Sequence, residues 1–170
     1  FAKEITTASN GGGSSGSLTK GLVAYYPLNG NLKDLSQNSL NLTAIGAPQF
    51  VPDRFGKKNS AISLNGTTDY LYHARDSALL LNNSFTLIAW VFLNNVDGGE
   101  DVIVSTLDYP NIGGYQLSLV WENRLYYHFY DGSTFIYFSY DHNQSIYGKW
   151  TMVAGTFSPT AQRIYINDTE

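Results

Sequence analysis

Carboxylates, histidines and aromatic rings are the groups in this 170-residue chain with chemistry to offer. A retaining glycoside hydrolase needs two carboxyl groups about 5–5.5 Å apart across the scissile bond. A strand supplies such a pair from alternate residues on one face. The four glutamates, Glu4, Glu100, Glu122 and Glu170, form no such pair. In Gly99-Glu100-Asp101 the two adjacent acids fall on opposite faces of a strand. His73, His128 and His142 have no serine partner at a spacing that suggests a nucleophile, and no His-Glu-x-x-His stretch occurs. With no cysteine there is neither a thiolate nor a disulfide framework. The chain is expected to be a non-enzyme.

Sugar binding asks for different groups: flat aromatic faces against C–H surfaces, with Asn, Asp, Gln and Arg for the hydroxyls. Strand alternation over Leu125 to Tyr130 puts Leu125, Tyr127 and Phe129 on one side and Tyr126, His128 and Tyr130 on the other. The first set reads as the core side. Tyr126, His128 and Tyr130, beside Phe138 and Tyr140 of the next strand, then make a candidate ligand-binding platform, because clustered exposed rings mark an interface. Tyr109 and Asn111, in the Asp108-Tyr109-Pro110-Asn111 loop, are further ligand-binding candidates. The plainer alternative is that tyrosines fill outward sheet positions in a chain with thirteen of them.

The elements that position these groups are strands. Thirteen Tyr, nine Phe and three Trp against one Met favour half-buried pleated surfaces, so the class is all-β. Strand candidates recur with turn signals between them, as in an antiparallel sandwich. They include Leu22 to Tyr26, Ala61 to Leu64, Tyr70 to His73 and Val102 to Thr106. Further on come Tyr115 to Trp121, Leu125 to Tyr130, Phe135 to Tyr140, Thr151 to Phe157 and Arg163 to Asn167. Phe85 to Leu93 is apolar at nearly every position and is expected to be covered on both faces. One helical turn is expected around Asp76 to Leu80. Three regions follow: a strand-like arm at 1–8, a Gly/Ser linker at 9–17 and a folded domain at 18–170. A net charge of −4 with few charged residues argues against nucleic acid and anionic membranes as partners. No apolar run reaches the roughly 18 residues of a membrane span.

Several motifs in order carry a family resemblance. Gly21-Leu22-Val23-Ala24-Tyr25-Tyr26-Pro27 is followed by Asp34-Leu35-Ser36-Gln37-Asn38, Arg54-Phe55-Gly56 and Leu64-Asn65-Gly66-Thr67-Thr68-Asp69-Tyr70. Phe85-Thr86-Leu87-Ile88-Ala89-Trp90-Val91 comes next, and then the hairpin from Trp150 to Asn167. Over Gly21 to Asp168 this resembles the laminin-G-like, concanavalin A-like jelly rolls of secreted proteins. Gln37 stands where the family's loop has Gly, and Thr68 where it has a first Asp.

The resemblance implies an antiparallel two-sheet jelly roll, an extracellular (secreted or cell-surface) home, and a role in binding or adhesion. A glycan or cell-surface polysaccharide is the first-ranked partner. It also implies one structural calcium, with Asp34 and Asn29 as the matching residues. In the family further strands follow the terminal hairpin, and only Thr169 and Glu170 follow here, so the sandwich is expected to lack its last strands. The N-terminal arm can fold back on that open edge or insert into a neighbour's sheet. The alternative function is therefore a structural protomer of an extracellular filament, self-associating through the arm. Five N-x-S/T sequons, at Asn41, Asn65, Asn82, Asn143 and Asn167, are glycosylation candidates and point to the cell exterior.

Overall fold

A computed structural model of the chain describes residues 2–8, 20–81, 83–94, 99–107, 113–120, 124–131, 133–141 and 146–167. The strands are, in chain order, β1 (Ala2–Ala8), β2 (Leu22–Tyr26), β3 (Thr43–Ile45), β4 (Gln49–Val51), β5 (Ala61–Ser63), β6 (Tyr70–Tyr72) and β7 (Phe85–Phe92). They continue with β8 (Glu100–Ser105), β9 (Gly114–Val120), β10 (Arg124–Tyr130), β11 (Phe135–Asp141), β12 (Trp150–Ser158) and β13 (Ala161–Ile166). Among the described residues a single 3-10 turn, Ser77–Leu79, sits where one was expected, capped by Asp76, whose carboxylate accepts from Ala78 N at 2.8 Å.

Hydrophobic alternation builds two facing sheets. One has seven strands in the order β13-β12-β7-β1-β5-β4, with β2 also paired to β1. The other has four, β11-β10-β9-β8, and β3 pairs with β6 in a separate ribbon. Every strand-to-strand pairing described is antiparallel. The inner face of the large sheet contributes Phe85, Leu87, Ala89 and Val91 of β7 with Val153 and Phe157 of β12. Against them stand Tyr115, Leu117 and Leu119 of β9 and Leu125, Tyr127 and Phe129 of β10. This is the two-sheet core of a sandwich. A smaller core gathers Ala24, Tyr26, Leu28, Leu40 and Ile62 under the first loops.

Two packing details explain sequence choices. Gly155 lies in the middle of β12 because a β-carbon there would come within 2.7 Å of the Tyr127 ring. The Ser158 hydroxyl accepts from Ala161 N at 3.0 Å and closes the β12–β13 turn around Pro159-Thr160.

Two expectations need correction. β7 is not fully covered on both faces: Phe85, Leu87, Ala89 and Val91 are buried, but Thr86, Ile88, Trp90 and Phe92 are only half-buried. Its outward side is shielded in part by Arg54, whose guanidinium lies 4.4 Å from the Trp90 ring centroid. The arm does not cover an edge beyond β13. As β1 it lies inside the large sheet, paired along β7 on one side and with β2 and Ser63 of β5 on the other.

Candidate functional site

The four-stranded sheet has one face in the core and one turned away from it. Antiparallel register decides which residues share the outward face, since directly opposed residues point the same way. One row holds Glu100, Val120, Arg124 and Asp141. The next holds Val102, Ser118, Tyr126 and Ser139. A third holds Ser105, Gln116, His128 and Tyr137, and Tyr130 opposes Phe135 in the last.

Tyr126, His128 and Tyr130 therefore do lie together on the outward face. Phe138 and Tyr140 do not join them. They oppose Tyr127 and Leu125, which are core residues, and Tyr140 packs against the core. Their places beside the platform are taken by Phe135 and Tyr137. Tyr137 is 67% exposed, the largest value among the exposed Tyr residues of the described chain. Sequence reasoning missed it, although counting across the Asp131–Thr134 turn from Tyr130 to Phe135 sets Tyr137 opposite His128. Tyr109 and Asn111 lie outside the described residues, as do Asn82 and Asn143.

The face carries packed rings and is polar at its centre. Tyr126 and His128 meet edge to face at 5.4 Å, His128 and Phe135 likewise at 5.4 Å, and Tyr130 and Phe135 stand 6.0 Å apart. Glu100 Oε1 accepts from Gln116 Nε2 and from Ser118 Oγ, both at 2.6 Å. Ser118 is wholly buried beneath these neighbours. Arg124 grips the Asp141 carboxylate bidentately, with Nη2 to Oδ2 at 3.0 Å, and donates from Nη1 to the Tyr126 hydroxyl at 3.3 Å. Burial pushes the His128 imidazole below its ordinary value, and the Glu100 charge only partly offsets this. Both the burial and the direction of the shift favour the neutral ring. Together the face offers a broad aromatic surface, a guanidinium, two carboxylates and a neutral imidazole.

Along the outer side of β8, the last strand of its sheet, the face meets a cleft of ≈ 700 Å³, walled by Tyr70, Tyr72, Arg75, Asp76, Glu100 and Val104. Glu100 belongs to the rims of both. The cleft was not read from the sequence, because β6 and β8 are distant in the chain and only the tertiary fold sets them side by side.

The calcium expectation does not fit the residues present. Asp34 is buried, and its carboxylate is filled by protein donors: Oδ1 accepts from Tyr25 N and Ser36 N, both at 2.8 Å. Oδ2 accepts from Ser36 Oγ at 2.7 Å and Leu40 N at 2.9 Å. Amide hydrogens aimed at both oxygens are the opposite of a cation cage. Asn29 turns its side-chain oxygen to Lys57 Nζ at 3.3 Å, and its carbonyl accepts from Asn31 Nδ2 at 3.0 Å. Among the described residues no three His, Asp or Glu side chains converge as metal ligands would. Asp34 acts as a clamp that ties the loop to β2.

The described sequons are built into turns. Asn41 Oδ1 accepts from Asp34 N at 3.0 Å, Asn65 Oδ1 from Thr67, Thr68 and Asp69 N, and Asn167 Oδ1 from Met152 N at 3.1 Å. All three residues are exposed.

Among known proteins, a family model described as the concanavalin A-like lectin/glucanases superfamily, of laminin-G type, matches residues 65–170. No curated protein and no solved structure matches the chain. The match takes in β6 through β13 and hence the whole four-stranded sheet with its outward face. The chain belongs to the laminin-G type of the concanavalin A-like lectin/glucanases superfamily.

Proposed function

We propose that this domain is a non-catalytic carbohydrate-binding module, and that the outward face of the four-stranded sheet is where it holds sugar. The observation that carries the reading is that the exposed Tyr137 ring stands opposite His128 and shares one outward face with Tyr126, Arg124 and Glu100. A pyranose laid on Tyr137 offers its C–H face to the ring and its hydroxyls to His128 and Tyr126, and Arg124 and Glu100 are left for further rings of a longer chain. Tyr126 and Arg124 are already positioned by their mutual hydrogen bond, so little side-chain entropy is lost on binding. The face crosses three strand spacings from β11 to β8, about 14 Å, which is room for more than one ring. Glu100 at the far side leads into the cleft, so an extended polysaccharide can continue there.

The same geometry favours binding over hydrolysis. Glu100 and Asp141 stand at opposite ends of one register row, about 14 Å apart. That exceeds the separation of about 5–5.5 Å for retaining and about 6.5–9.5 Å for inverting glycosidases. Asp141 is also committed to Arg124.

An extracellular, cell-surface setting fits this role, and no helix of the described residues is long and apolar enough to cross a membrane. A glycan array probed with the wild-type chain and with Tyr137→Ala tests the reading. Specific glycan binding that drops at least tenfold in the variant, about 1.4 kcal/mol, supports it. Binding that Tyr137→Ala leaves intact moves the site elsewhere.

A further inference from the structure

The charge carried by the four-stranded sheet is one-sided. Asn94 to Asp141, the segment that supplies all four of its strands, holds seven of the chain's fourteen acidic residues and one of its ten basic ones, Arg124. The segment is therefore net −6, and the rest of the chain is net positive. Arg124 does not offset this, because the Asp141 carboxylate grips its guanidinium bidentately. Among the described residues of the outward face, the charge left without an opposite partner is the Glu100 carboxylate. That carboxylate is held in place. Its Oε1 accepts from Gln116 Nε2 and Ser118 Oγ, and those two side chains are only 9% and 0% exposed. Two buried donors on β9 thus draw Glu100 from β8 toward the middle of the face, where its charge acts on His128. Glu100 itself is exposed, and its Oε2 accepts no hydrogen bond among the described residues. A neutral ligand does not call for this group, since the amide oxygen of a glutamine would satisfy Gln116 and Ser118 equally. A fixed carboxylate with one oxygen open to solvent suits a cation, and the faces of Tyr126 and Tyr137 attract the same sign of charge.

We propose, resting on the sugar-binding role of this face, that its ligand is a polysaccharide of hexosamines with free amino groups. Gln116, which holds Glu100, lies two strand spacings from Tyr137, about 10 Å. The ammonium that pairs with Glu100 therefore belongs to a ring further along the chain than the one stacked on Tyr137. An N-acetyl group at that place brings a neutral amide and forfeits the ion pair. A uronate or sulfate there meets like charge, and the field of the whole segment works against it.

Titration calorimetry on the full-length chain tests this with three probes: a chitosan oligosaccharide, its fully N-acetylated counterpart of the same length, and an oligolysine. All are measured at a pH that keeps the amines protonated. The wild type is expected to bind the free-amine oligomer about tenfold or more tightly than the acetylated one. That preference should shrink as salt is raised, because the ion pair forms at an exposed carboxylate. In Glu100→Gln, whose amide oxygen still accepts from Gln116 and Ser118, the ratio of the two affinities should fall to near unity. Three results overturn the proposal: equal affinity of the wild type for the two oligomers, a preference that neither salt nor Glu100→Gln reduces, or oligolysine bound as tightly as the amino sugar. The last would make a basic peptide the ligand. Where the two oligomers bind equally and Tyr137→Ala weakens both, the proposal falls and the sugar-binding role of the face stands. Where neither oligomer nor any glycan of the array binds, both fall together.

Discussion

Replacing Asp34 by Asn changes one atom and should cost a large part of this domain's stability. The carboxylate accepts four hydrogen bonds, from Tyr25 N, Ser36 N, Ser36 Oγ and Leu40 N. An amide keeps one acceptor oxygen, which can retain the two bonds at the Oδ1 position. At the Oδ2 position an NH2 group then faces the Leu40 N–H. Ser36 can rotate its hydroxyl to accept, but the Leu40 amide cannot turn, and Leu40 is itself buried. An orphaned buried N–H costs about 1–3 kcal/mol, and each surviving bond weakens by roughly 1 kcal/mol on losing its charge. The sum is about 3–5 kcal/mol, against a total of about 5–15 kcal/mol for a domain.

Urea unfolding followed by tryptophan fluorescence at pH 7 reads this directly. Burial pushes the Asp34 pKa up, but the hydrogen bonds from Ser36, Tyr25 and Leu40 outweigh it and hold the group below its ordinary 3.8. Its stabilisation is therefore fully present above the unfolded-state pKa near 3.9 and is lost as pH falls through the lower folded value. The gap between wild type and Asp34→Asn should begin to narrow as pH falls below about 4 and go on narrowing as it passes through the lower folded value. A loss under about 1 kcal/mol at pH 7, or a gap that stays constant down to pH 2, would refute the clamp. Stabilisation of the wild type by added calcium that Asp34→Asn abolishes would refute the conclusion that the residues do not fit that ion.

The remaining predictions concern the core and the histidine. Tyr127 is buried with no hydrogen-bond partner for its hydroxyl among the described residues, so Tyr127→Phe should stabilise the domain by about 1 kcal/mol or more, seen as a raised Tm. Gly155→Ala should destabilise by about 1–3 kcal/mol because the new methyl enters the Tyr127 ring. That cost should shrink when Tyr127→Leu is combined with it, a coupling that a double-mutant cycle measures. His128 has its folded pKa lowered, so its neutral form favours the fold above the unfolded value near 6.5. That contribution fades as pH drops from 6.5 toward the lower folded value, and His128→Gln should remove this part of the pH dependence of unfolding.

Much of the fold was legible because period-two patterns report local geometry. Leu125, Tyr127 and Phe129 fell on the core side as alternation required, and the terminal hairpin turned at Pro159-Thr160. The all-β sandwich and the family followed from such segments. Placement across strands was less legible. Phe138 and Tyr140 were set beside Tyr126 because they are aromatic and adjacent in the chain, but one step of register decides the face, and it placed Phe135 and Tyr137 there. The fate of the arm was not readable either: alternation in Phe1 to Thr7 says strand, but not which lane it enters. For Asp34 the residue type suggested a metal ligand, and only the tertiary fold brings three backbone amides and a hydroxyl onto it.

The central claim is that sugar sits on the outward face of the four-stranded sheet. The most direct test is to titrate an isotope-labelled sample with the best glycan from the array and map amide chemical-shift changes. Shifts confined to residues 100–105, 116–118, 124–130 and 135–141, and abolished by Tyr137→Ala, are predicted. Saturating shifts on β12, β13 or the outward side of β7, with the four-stranded sheet unmoved, would contradict the claim.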